Sequence, residues 1–219
     1  LKAAIEFGRN KLGTPILIGA EKRIKEQLKN IGLDENYKIQ IVNSTDREKR
    51  EKYVKHLYKK LQREGQLERD VDRLVRNERI AWGASMIACK DADAMVTGNI
   101  RHYAASIEKL KKVTEPRPGE EIFGMTMITL KGKTILVADT NVQDFPSPER
   151  LVKVSKSCVR VARLFGFDPK VAFLSHSTFG KPISKNTKHV RDAIELLKQE
   201  KVDFDFDGEM QPDVALNPI

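Results

Sequence analysis

Ser175-His176-Ser177-Thr178 sets three hydroxyls and an imidazole in four consecutive positions, directly after the apolar run 171–174. Hydroxyls donate to phosphate or carbonyl oxygens, and imidazole donates or accepts near neutral pH. The quartet therefore suits contact with a phosphate or an acyl carbonyl. Asp207-Gly208-Glu209-Met210 reads as an acidic turn after a second apolar run, with Asp213 close behind. Asp207 or Asp213 is placed to complete a hydrogen-bond network with the Ser/His quartet. Asp207, Glu209 and Asp213 together offer the hard oxygen ligands that Mg2+ takes, but they serve equally well as helix caps and a solvated turn, and no metal is assigned. The Gly-x-Ser-x-Gly elbow of a serine nucleophile is absent. Four histidines without short paired spacing and two distant cysteines also argue against structural zinc. No catalytic residue is assigned.

Two more polar stretches follow apolar runs: Thr97-Gly98-Asn99 after 94–96, and Asp139-Thr140-Asn141 after 134–138. Loops at the C-terminal ends of strands are where open α/β folds hold their ligands. Four such loops point to a cleft more strongly than any one of them. Gly98 and Gly180 would let a phosphate approach the backbone. Arg63, Arg101 and Lys181 are candidate anion contacts, whereas His102 reads as a surface or capping residue. The candidate ligand set is Arg63, Thr97, Gly98, Asn99, Arg101, Ser175, His176, Ser177, Thr178, Lys181, Glu209 and Asp213. Ser and Asn also cap helices, so the ordinary loop reading stands beside the cleft.

The elements that would position these residues alternate in type. Helix is expected over 1–7, 21–30, 47–63, 68–88 and 102–111, and strand over 15–18, 38–42 and 94–96. Thr45 or Asp46 caps the third helix, and Gly65 ends it. Glu115-Pro116-Arg117-Pro118-Gly119 is the clearest punctuation and separates a first lobe, 1–115, from a second, 119–219. The first lobe is expected to lack its initial strand, and the second its continuation. In the second lobe, strands 124–130 and 134–138 meet across Lys131-Gly132-Lys133 as a hairpin. Ser147-Pro148 opens a helix reaching about 165. A helix over 186–199, capped by Ser184, leads to the alternating strand Val202-Asp203-Phe204-Asp205-Phe206. The fold class is α/β.

Composition bounds what this scaffold can be. Forty Lys and Arg against 31 Asp and Glu among 219 residues give a formal charge of +9. That excess fits a basic solvated face or a phosphate-binding cleft. No nucleic-acid module is readable, so nucleic acid is not expected as a partner. No apolar stretch reaches the roughly 20 residues that span a bilayer. No membrane association and a cytoplasmic location are the expectations. Cys89 and Cys158 read as small buried hydrophobes rather than a disulfide.

Taken together, Pro15-Ile16-Leu17-Ile18-Gly19, Asp91-Ala92-Asp93-Ala94-Met95-Val96-Thr97-Gly98, Ser175-His176-Ser177-Thr178 and Asp207-Gly208-Glu209-Met210 resemble the phosphate acetyltransferase and butyryltransferase family across nearly the whole chain. Asp139-Thr140-Asn141-Val142, Leu174-Ser175-His176-Ser177-Thr178-Phe179-Gly180 and the segment 208–216 are more similar to the phosphate-acetyltransferase-like C-terminal region of bacterial NADP-dependent malic enzymes. The resemblance implies a three-layer α/β/α, two-lobed fold of the isocitrate/isopropylmalate-dehydrogenase type. It implies acetyl-CoA as an effector, a homo-oligomer, and an upstream malic-enzyme region holding NADP and Mg2+ or Mn2+. There malate would be oxidised and decarboxylated to pyruvate, so the function expected here is acetyl-CoA-responsive regulation and oligomerisation. The alternative is a truncated transferase moving acyl groups between CoA and phosphate. Against a complete transferase centre, Leu61 stands near where free-standing enzymes place an arginine, and their late Asn-Asp-Leu-Ser-Arg-Gly-type motif is not seen.

Overall fold

A computed structural model describes residues 1–32, 39–98, 100–140, 142–181 and 187–217. Asn99, Asn141 and the expected cap Ser184 lie outside the described residues. The chain divides into two compact units, Leu1–Glu115 and Pro116–Ile219.

In the first unit the order is α1 (Lys2–Arg9), β1 (Ile16–Ile18), α2 (Glu21–Asn30), β2 (Gln40–Val42), α3 (Arg47–Leu61), a 3-10 turn (Gln62–Glu64), α4 (Glu68–Asn77), α5 (Arg79–Ala88) and α6 (Tyr103–Val113). Strands β1 and β2 run parallel, with Ile16 opposite Gln40 and Ile18 opposite Val42. Helix α3 begins where Asp46 accepts a hydrogen bond from the Lys49 amide at 3.2 Å, and Gly65 closes its end in the left-handed region. Its apolar face, Tyr53, Leu57 and Leu61, packs with Val71 and Val75 of α4 and Trp82 of α5. The Tyr53 and Trp82 rings meet edge to face, 5.0 Å between centroids. Tyr53 Oη and Lys52 Nζ both donate to Asp91, at 2.7 and 2.6 Å, which fastens the chain leaving α5.

Two expectations fail in this unit. The single helix over 68–88 is broken at Glu78, whose backbone is extended (φ −113°, ψ 106°). Helix α4 buries only Val71 and Val75, whereas α5 is buried at every position from Ile80 to Met86. One straight rod cannot meet both demands, and no Gly or Pro marks the bend. The carboxylate of Glu78 takes Arg101 and Lys109, the latter at 2.7 Å. The second failure is residues 94–96, which form no strand. Met95 alone packs on the core, and Val96 is 97% exposed. A three-residue apolar run carries too little periodicity to separate strand from loop.

In the second unit, β3 (Met125–Leu130) and β4 (Lys133–Ala138) pair antiparallel through Lys131-Gly132, both with positive φ (50° and 78°), as a type I′ hairpin needs. Helix α7 (Pro148–Leu164) starts with Pro148 at its first position and Ser147 accepting from the Arg150 amide at 3.3 Å. Ser147→Ala is expected to cost about 1 kcal/mol, read as a lower urea midpoint with an unchanged slope. Strand β5 (Val171–Leu174), helix α8 (Lys188–Glu200), strand β6 (Phe206–Met210) and the short α9 (Pro212–Leu216) complete the order. Val152, Phe173, Val190, Ala193, Ile194 and Leu197 form the core, with Phe204 and Phe206 against it.

The alternating residues 202–206 send their apolar side chains to that core, yet they are not a strand until Phe206. Strand β6 instead comprises what reads in sequence as a turn, Phe206-Asp207-Gly208-Glu209-Met210. It lies parallel to β5, pairing Val171 with Phe206, Phe173 with Gly208 and Leu174 with Met210. Glu209 is therefore an extra residue in the ladder, a bulge. Gly208 has φ 140°, and a Cβ there would lie 2.6 Å from the Phe173 carbonyl oxygen. Gly208→Ala is expected to destabilise the second unit by about 3 kcal/mol through overpacking on backbone, measured by thermal or urea unfolding. Among the described residues, no helix is long and apolar enough to cross a membrane.

Candidate functional site

The bulge in β6 explains how a carboxylate comes to be inside the protein. A regular strand alternates its faces, but Glu209 and Met210 are consecutive and both buried. Glu209 is 1% exposed, and its Oε1 accepts from Ser177 Oγ at 2.7 Å, the Gly180 amide at 3.1 Å and Arg191 Nη1 at 2.7 Å. Its backbone carbonyl accepts from the Phe179 amide at 2.8 Å. Arg191 Nη1 also donates to Thr187 Oγ1 at 2.9 Å.

These bonds shape the segment 175–181. Thr178 and Lys181 exchange both backbone hydrogen bonds, 3.0 and 3.1 Å, across a two-residue turn of Phe179 (φ 47°) and Gly180 (φ 81°). Ser175 N donates to the Met210 carbonyl, and Ser177 N donates to Ser175 Oγ at 3.1 Å. Gln211 reaches back with its amide to Thr178 Oγ1 and with Nε2 to the His176 carbonyl. His176 and Lys181 are exposed, Ser175 and Thr178 half-buried, and Ser177 buried. The turn thus shows an imidazole, an ammonium and two part-exposed hydroxyls to solvent while Ser177 faces inward.

Burial pushes the Glu209 pKa up, but hydrogen bonds from Ser177, Arg191 and Thr187, with the Arg191 charge, outweigh it and hold the carboxyl below its usual range. Glu209 is an acceptor at neutral pH, so it anchors the turn and is not a proton donor to a ligand.

The structure brings Ser175, His176, Ser177, Thr178, Lys181 and Glu209 together. The network partner is Glu209, not Asp207 or Asp213: Asp207 bonds its neighbour's amide, Gly208 N, at 2.8 Å, and Asp213 is exposed in the first turn of α9. Gly180 supplies turn conformation, but its amide is already committed to Glu209. No set of three His, Cys, Asp or Glu side chains that could hold a metal occurs among the described residues. Asp139 closes the base of the hairpin by accepting from Gly124 N at 2.7 Å, beside Arg150. In the first unit, Thr97 and Gly98 are exposed and follow no strand, and Arg101 is paired with Glu78. Arg63 lines an open depression of about 880 Å³ with His56, Lys59 and Lys60 over Ile87 and Val113. Arg191 and Thr187 were missed by the sequence reading. The available signal was an arginine one turn into a helix that follows the polar loop.

This mixed α/β fold is that of the phosphotransacetylases. It superposes on a phosphotransacetylase from Streptococcus pyogenes with a TM-score of 0.82 at 23% identity, covering 98% of this chain and 67% of that one. For the EutD phosphotransacetylase from Staphylococcus aureus the TM-score is 0.75 at 24% identity, covering 99% and 66%. The family model for phosphate acetyl/butaryl transferase matches residues 1–219, and the chain belongs to that family. Its relatives include malic enzymes and phosphate acetyltransferases. An NADP-dependent malic enzyme of Rhizobium meliloti is 40% identical over 218 residues, 99% of this chain and 29% of that protein. The phosphate acetyltransferase of Acetivibrio thermocellus is 26% identical over 226 residues, 100% of this chain and 67% of its own length. The chain thus spans less than a third of the curated malic enzymes it matches.

Proposed function

We propose that this chain binds an acyl-CoA and phosphate, or the acyl phosphate formed from them, in the manner of a phosphate acyltransferase. The observation that carries the reading is the Glu209-anchored turn, which fixes Ser175, Thr178 and Lys181 at the end of β5 in a chain matched by the family throughout. The held hydroxyls of Ser175 and Thr178 are donors to phosphate oxygens or to the oxyanion of a reacting thioester and need little reorganisation as charge develops, while the exposed Lys181 ammonium can swing to the same charge. In the transfer, a phosphate oxygen attacks the thioester carbonyl, the carbon–sulfur bond breaks, and CoA leaves as the thiolate, which then takes a proton. The test is phosphate-dependent release of free CoA thiol from acetyl-CoA. Release that depends on Lys181 supports transfer, and its absence in a protein that binds acetyl-CoA by calorimetry counts against it.

That second outcome would favour another reading, supported by the 40% identity to a malic enzyme along 99% of the chain. In it the chain is an acetyl-CoA-responsive, oligomer-forming region. NADP and Mg2+ or Mn2+ would bind in a malic-enzyme region upstream. Acetyl-CoA would act there only by binding two conformations of the whole protein with different affinity.

A further inference from the structure

Glu209 and Arg191 lie behind the ligand-facing side chains rather than among them. The exposed His176 and Lys181 side chains make no hydrogen bond or ion pair with Glu209, whereas Ser177 Oγ and the Gly180 amide converge on a single carboxylate oxygen. The bulged residue also holds Phe179 N through its own carbonyl. Two positive-φ residues in succession make an unlikely turn for a chain with phenylalanine at the first position, because a side chain there is strained in the left-handed region. Something must hold that conformation, and the contacts to Glu209 fall on both turn residues.

Arg191 supplies the other half. It stands in the first turn of α8, with its side chain 37% exposed, and one nitrogen serves both Glu209 and Thr187. The arginine therefore ties the start of α8 to the bulge, and through the bulge to the turn. Without it a buried carboxylate would face neutral donors alone, a poor balance in a low-dielectric site.

We propose that Glu209 and Arg191 are a positioning pair: the buried carboxylate holds the Ser177–Gly180 turn in the shape that presents Ser175, Thr178 and Lys181 to an oxyanion, and Arg191 supplies its countercharge. The inference rests on the acyl-phosphate reading for the identity of the ligand, but not for the mechanics of the turn. Neither residue touches the ligand in this scheme, and the pair acts through the geometry of the turn.

The test compares the wild-type chain with Glu209→Gln, Arg191→Lys and Arg191→Ala, using amide exchange and calorimetric titration with acetyl phosphate. Hydrogen bonds to a charged group are strong enough that losing the charge should speed exchange at Phe179 and Gly180 by about tenfold or more in Glu209→Gln, with core amides of α8 unchanged. Acetyl phosphate affinity should fall by a similar factor, and Arg191→Lys, which keeps the charge, should retain more of it than Arg191→Ala. Unchanged exchange and affinity in a folded Glu209→Gln protein overturn the proposal. If that variant does not fold, equal behaviour of Arg191→Lys, Arg191→Ala and wild type overturns it instead. A wild-type chain that binds no acetyl phosphate refutes the ligand reading, while the exchange comparison still decides whether the pair holds the turn.

Discussion

Trp82→Ala is expected to lower the stability of the first unit by about 4 kcal/mol, the largest effect of any single truncation in its core. The side chain is fully buried, and its ring meets Tyr53 edge to face. Removing it forfeits the buried area and leaves a void between α3 and α5. The walls are poorly able to close that void, because Tyr53 is held from its far end by Asp91 and the next positions on α5, Gly83 and Ala84, are already small. Trp82 is the chain's single tryptophan, so its own fluorescence cannot follow the variant. Urea unfolding monitored by far-ultraviolet circular dichroism is the appropriate measurement, and a loss below about 1 kcal/mol would contradict this account of the core.

Glu209→Ala is the matching experiment in the second unit, with an expected loss of about 3 kcal/mol. Ser177 Oγ, the Gly180 amide and Arg191 Nη1 lose their acceptor at once, and Thr187 loses its bond to the carboxylate as well. The value sits at the low end for a broken buried pair because Arg191 is about one-third exposed and can turn its charge to water. The effect should depend on pH in a definite sense. The folded-state pKa of Glu209 lies below the ordinary value of 4.5, so the unfolded chain takes up its proton first as the solution is acidified. The stabilisation is therefore complete above that ordinary value and is lost as pH falls through the folded one. The gap between wild type and Glu209→Ala should stay constant near neutrality and narrow under acid. A gap that widens as pH falls from neutrality towards 4.5 would mean the carboxyl takes up its proton in the native state before the unfolded one.

The sequence was most informative where local chemistry and burial agree. The Ser147-Pro148 helix start, the Lys131-Gly132 hairpin and the Asp46 cap are written in side-chain hydrogen bonds and backbone preference within a few residues. Where burial decided, the reading failed. The break at Glu78 follows from α5 being enclosed on all sides, which no window of the sequence reveals. Residues 94–96 look like a strand, but a strand needs a partner, and Val96 faces solvent. The site was half legible for the same reason. Ser175, Ser177, Thr178, Lys181 and Glu209 all stand among the candidates, but the sequence pairs the Ser/His quartet with Asp207 or Asp213, because the inward turn of Glu209 depends on a bulge opposite Phe173 and Leu174, a long-range feature. Its partner Arg191 is separated from Glu209 by most of a helix, so nothing local links them.

Helices α2 and α5 are equally long, ten residues each, and differ completely in what surrounds them. Helix α2 has no buried residue and only Ile24 and Leu28 are half-buried, so its exposed positions can accept almost any helix-forming substitution. At Gly83 in α5, an added methyl would meet the Met95 sulfur at 2.6 Å and Ile18 at 3.1 Å. Divergence within this part of the chain is thus channelled: charge and length can drift along one helix, while the other admits change only when its neighbours change with it.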